Sequence, residues 1–184
     1  SFSGSLSSPT ITCPATGQFT IMPEVRLTSP THQASVSAYE FLSCSNGSTF
    51  GGQFNASVTN AAGKSAFAGL QVAPGDSLRF RMTESGAGVA TVVVSNLTAG
   101  TTATAAANGV GGLTEISAGT SLNAPAPTPI PSSTPITFGG LRIGASTLSA
   151  FSTTESEIFN GTVLQVSTSA VATNGGIANK FVHT

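Results

Sequence analysis

Two histidines, two cysteines, one aspartate and six glutamates are all that this 184-residue sequence offers for acid–base, metal or nucleophilic chemistry. A Ser–His–acid triad needs a buried, oriented imidazole. His32, beside a proline in "TSPTHQA", reads as a loop residue, and His183 lies next to the C-terminus, where chains are usually mobile. Structural zinc takes four Cys or His ligands and catalytic zinc three, and Cys13 and Cys44 read instead as a disulfide. Calcium needs clustered oxygens, yet Asp76 is the one Asp in the chain. No glycine-rich stretch follows a strand and opens a helix, so nothing suggests a phosphate cradle. Neither a metal nor a cofactor is expected.

The carboxylates separate by context. Glu155 and Glu157 in "TTESEIF" share a solvated strand face or turn. Glu24 and Glu40 lie inside alternating strands, where an acid ordinarily marks the wet side. Glu84 opens a glycine-rich turn. Glu115, in "GGLTEISAG", follows such a turn and sits in a short apolar run. It is the candidate functional carboxyl, and an exposed strand residue is the plain alternative. A two-carboxylate glycosidase site could be assembled from these acids only by assumption. With no Trp and one Tyr, Tyr39, the chain also lacks the aromatic platforms of sugar-binding sandwiches.

These residues must be positioned by strands. Period-2 alternation recurs in "FTIMPEVRL", "ASVSAYEFL" and "DSLRFRMT"; in the last, Leu78, Phe80 and Met82 face one side and Arg79 and Arg81 the other. Further β-branched runs, "GVATVVVSN" and "TVLQVSTSAV", are punctuated by "APGD", "ESGAG", "LTAGT", "NGVGG" and "TNGG", as hairpins require. No window sustains a helical period. The pattern predicts an all-β, antiparallel two-sheet sandwich spanning residues 1–184, with a closed barrel as competitor. The proline-rich "APAPTPIPSSTP", residues 124–135, reads as a long extended connection within that one domain.

Charged residues make up 7% of the chain and the net charge is −1. Six scattered cations build no phosphate-binding patch, which argues against nucleic acid as a partner. No apolar run approaches the roughly 20 residues of a membrane span. Hydration falls to hydroxyls and amides, with 26 Ser and 26 Thr. Sequons at Asn46, Asn55, Asn96 and Asn160 predict glycosylation. The chain begins at Ser1 rather than Met, as a chain freed of its leader would. Disulfide and sequons together predict an extracellular protein, the disulfide adding about 3–4 kcal/mol on the chain-entropy estimate.

"GDSLRFRMTESGAGVATVVVSNLTAGTT", Gly75 to Thr102, resembles the central part of the fungal glutamic peptidases, the eqolisin family. Those sequences carry a Gly-Asp-Ser-hydrophobic strand, a short turn and a strand ending in Asn-Leu-Thr-Thr-Gly. A strand bearing the catalytic Glu, a proline-containing loop and another strand follow, matched here by "LTEIS", "APAPTPIPSSTP" and "ITFGGLRI". The resemblance covers about residues 75–143. It implies a concanavalin A-like, jelly-roll type double sheet.

Catalysis in that family rests on a Glu and a Gln side by side on one sheet, the Glu as general acid/base for a water and the Gln helping to hold water and oxyanion. The resemblance places Glu115 on the Glu. One register places Ser43 on the Gln, which Ser cannot replace; a shifted register recruits Gln53. The leading expectation is therefore a divergent, non-catalytic relative with a binding or structural role toward a glycan or protein surface, or toward copies of itself as a homo-oligomer. The alternatives are an acid endopeptidase using Glu115 and Gln53, and an unrelated lectin-like or surface-assembly sandwich.

Overall fold

A computed structural model describes residues 1–123, 132–154, 158–160 and 163–181. Residues 124–131 of the proline-rich stretch, Glu155, Glu157 and His183 lie outside them. Along the chain run β1 (Phe2–Ser7), β2 (Ile11–Thr12), β3 (Gln18–Thr28), β4 (Ser35–Ser45), β5 (Ser48–Thr59) and β6 (Ser65–Gln71). Then come β7 (Ser77–Glu84), β8 (Val89–Asn96), β9 (Thr101–Asn108), β10 (Glu115–Asn123) and β11 (Ser132–Ser133). The last are β12 (Ile136–Ile143), β13 (Ser146–Thr147), β14 (Ile158–Asn160), β15 (Val163–Thr168) and β16 (Ile177–Phe181). A short 3-10 turn, Leu148–Ala150, is the one helical piece among the described residues.

These strands form two main antiparallel sheets. The nine-stranded sheet runs β14-β15-β16-β12-β1-β7-β8-β9, with β13 on β12; the five-stranded sheet runs β10-β3-β4-β5-β6. A small third ladder joins β2 to β11. β1 lies between β7 and β12, so residues on both sides of the proline-rich stretch share one sheet. The expected two-sheet, all-β sandwich is what forms.

Alternation builds the core. In β7, Leu78, Phe80 and Met82 are buried and Arg79 and Arg81 are exposed. Phe2, Phe54, Phe80 and Phe138 are fully buried between the sheets, and Phe2 meets Phe80 at 5.5 Å between ring centroids. Each such ring contributes about 1.5–3 kcal/mol through removal from water. Cys13 and Cys44 form the expected disulfide, with Cα atoms 5.6 Å apart, tying the segment before β3 to the end of β4.

Turn chemistry sets the register. Asn46 and Gly47 both adopt positive φ (47° and 83°) between β4 and β5, as a two-residue hairpin turn requires. Further along β5, Gly52 forms a bulge at φ 103°; a Cβ there would stand 2.4 Å from the Val72 carbonyl oxygen.

Two expectations fail here. Glu40 is not on the wet side: it is fully buried, in phase with Val36, Ala38, Leu42 and Cys44 on the inner face of β4. The sequons at Asn55 and Asn96 are also misread, because both side chains are buried and neither has room for a glycan. Asn96 is an internal cap. Its Oδ1 accepts from the Thr98 and Ala99 amides (3.0 Å each), and its Nδ2 donates to Asp76 (2.6 Å). Asn46 is exposed at its hairpin tip, and Asn160 closes β14.

Candidate binding cleft

Glu115 opens β10, the terminal strand of the five-stranded sheet, and faces outward in line with Thr28 of β3. Inward-facing residues of β10 pair with the buried series of β3: Ile116 with Leu27, Ala118 with Val25, Thr120 with Pro23. Alternation therefore sends Glu115 outward and its neighbour Ile116 inward. The Glu115 carboxylate accepts from the Thr28 hydroxyl (3.4 Å) and lies 3.7 Å from Nδ1 of His32. Both side chains of that last pair are largely exposed, at 49% and 72%. His32 stands in the β3–β4 loop with φ 54°, as its sequence context suggested.

The structure does not bring Gln53 to Glu115. The row through Glu115 continues across Thr28, Ser35 and Thr59. Gln53 lies six residues before Thr59 in β5, about 20 Å along the strand and roughly 14 Å across the sheet from Glu115. Ser43, the position in the other register, is eight residues along β4 from Ser35, about 26 Å along the strand. The side-by-side acid and amide needed to hold a water are formed by neither pair.

On one side, β6 of the small sheet packs against β9 of the large one. On the other, β10 and the far end of the large sheet enclose a cleft of about 580 Å³ with Glu115 at its lip. Ile116, Ala118 and Thr120 line one wall; Ile143, Leu148, Phe151, Val171 and Ile177 line the other. A polar chain crosses its base, in which Thr120 Oγ1 donates to Asn179 Oδ1 (3.0 Å) and Asn179 Nδ2 donates to Thr168 Oγ1 (2.9 Å). Asn179 is buried, so the cleft offers apolar surface over an internally satisfied floor. Among the described residues of its lining, Glu115 is the one ionisable side chain.

A second polar group, unread in the sequence, sits on the outer face of the same sheet. Glu24, Tyr39 and Asn55 share one cross-strand row, and Arg26 bonds Glu24 at 2.9 Å. Burial, reinforced by the Glu24 charge, pushes the Tyr39 hydroxyl pKa up. The shared parity of Glu24 and Arg26 in "MPEVR" is the signal that could have paired them. Among the described residues no His/Cys/Asp/Glu group could hold a metal ion.

Neither a family model nor a curated protein matches the sequence. Solved structures do. Scytalido-glutamic peptidase, bound to a transition state analog inhibitor, superposes at TM-score 0.62 and 13% identity, over 98% of this chain and 91% of that one. SCP-B, a member of the eqolisin family in complex with the tripeptide Ala-Ile-His, gives 0.60 and 14%, with the same coverage. Aspergilloglutamic peptidase from Aspergillus niger gives 0.64 and 18%, over 90% of this chain and 99% of its own. The architecture expected from the "GDSLRF…SNLT" resemblance is thus found along nearly the whole chain: it has the fold of the glutamic peptidases.

Proposed function

We propose that this is a secreted protein that binds an extended, uncharged polypeptide segment in the cleft beside β10 without cleaving it. The cleft itself carries the reading: about 580 Å³ of mixed apolar and hydroxyl surface along a terminal strand, with Glu115 the one carboxylate among its described residues. Terminal strands recognise extended chains through main-chain hydrogen bonds, and side-chain pockets add selectivity. The disulfide suits an oxidising compartment. The exposed hairpin tip makes Asn46 the acceptor to examine first for a glycan. The experiment is fluorescence polarisation with labelled peptides from a casein digest, comparing wild type with Thr153→Arg, Thr153 being an exposed residue of the cleft lining. Binding weakened tenfold or more by the arginine supports the site, and equal binding by both proteins rejects it.

A second reading, an acid endopeptidase of glutamic type, is favoured by the fold comparisons, because the superposed proteins are peptidases. The separation of Glu115 from Gln53 and Ser43 weighs against it. Loss of casein cleavage in Glu115→Gln would favour it.

A further inference from the structure

We propose that Glu40 is a buried pH switch that makes this fold most stable in acid and progressively less stable as the medium becomes neutral. Its side chain is fully buried between the sheets, on the β4 face that also carries Ala38 and Leu42. Across β4–β5 it stands opposite Phe54, itself buried. One carboxylate oxygen accepts from Ser8 Oγ, from the segment after β1; the other, Oε2, has no hydrogen-bond partner. β7 and β8 turn Leu78, Phe80, Met82, Val92 and Val94 inward.

The charged neighbour is Asp76, in the turn before β7, where Ser8 donates its amide to the Asp76 carbonyl (2.9 Å). Asp76 is held ionised by the Ala73 amide and the Asn96 side chain. It therefore repels a second negative charge. Among the described side chains no cation answers that charge: Arg26, Lys64, Arg79, Arg81 and Arg142 are all exposed.

An ionised carboxylate here would keep one hydrogen bond, leave an oxygen unsolvated and face a like charge. Burial, the largest cause, pushes the Glu40 carboxyl up to about 7, with the Ser8 bond opposing and Asp76 adding to the rise. The sign follows. A carboxyl that holds its proton more tightly when folded stabilises the fold fully below its unfolded value and loses that contribution as pH rises through the folded one. Between pH 5 and 8 the unfolding constant should rise on the order of 10–100-fold from this group alone.

The test is denaturant unfolding from pH 5 to 8 for wild type and Glu40→Gln, which keeps the shape and an acceptor for Ser8. A wild-type loss of that size, flattened in the variant, is expected; parallel profiles overturn the proposal. Carboxyl-¹³C NMR of glutamate-labelled wild type reads the same group without a variant. One glutamate titrating near neutrality supports the switch, and all six titrating below about pH 5 reject it.

Discussion

Glu115, Glu24 and Glu40 carry the same side chain on three adjacent strands, and their surroundings give them different chemistry. Glu115 is half in water beside Thr28 and His32, Glu24 is paired with Arg26, and Glu40 is enclosed with Ser8. Glu115→Gln should therefore change stability by no more than about 0.5 kcal/mol, measured by thermal melting. Gly52→Ala should cost about 1–3 kcal/mol, because a non-glycine residue is strained at φ 103° and its Cβ would meet the Val72 carbonyl. Chemical unfolding would measure it. Glu40 was legible by position and misread by type: in "SVSAYEFLSCS" it shares the parity of Val36, Ala38, Leu42 and Cys44. The sequence pattern placed it inside, and the habit of reading an acid as solvent-facing placed it outside.

At the scale of elements, the strands and the β7 alternation were readable locally, since period-2 patterning and turn residues lie within a few positions of one another; the disulfide was readable because the chain has two cysteines and so one possible pairing. The relation of Glu115 to Gln53 was not. It depends on the register of β10 on β3, β3 on β4 and β4 on β5, and local periodicity carries no information about which residues of distant strands lie opposite. The sequons at Asn55 and Asn96 failed for a related reason, because a tripeptide pattern does not report on burial. Asn96 acts through the β8–β9 turn. Asn96→Ala should cost roughly 1–2 kcal/mol by removing a buried cap that serves the Thr98 and Ala99 amides, read as a lowered denaturation midpoint. Cleaving the Cys13–Cys44 link, which spans a sequence separation of 31, should cost about 3–4 kcal/mol, measured by melting with and without reductant.

For the whole molecule, one turn carboxyl and one buried carboxyl set opposite limits on pH. Asp76 is held below its ordinary value of 3.8 by the Ala73 amide first and the Asn96 side chain second. Its stabilising interactions are present above that value and lost as pH falls through the lowered one. Glu40 loses its contribution in the other direction, as pH rises toward about 7. With few other ion pairs in a chain of 7% charged residues, the stability maximum should lie near pH 4–5. A melting-temperature series across pH 2–8 would show it. That window coincides with the conditions under which a peptidase of this fold should be assayed. Digestion of acid-denatured casein across roughly pH 2–5, with purified wild type beside Glu115→Gln, therefore tests binding without cleavage most directly. The account predicts intact casein with both proteins; cleavage by wild type that disappears in the variant would contradict it.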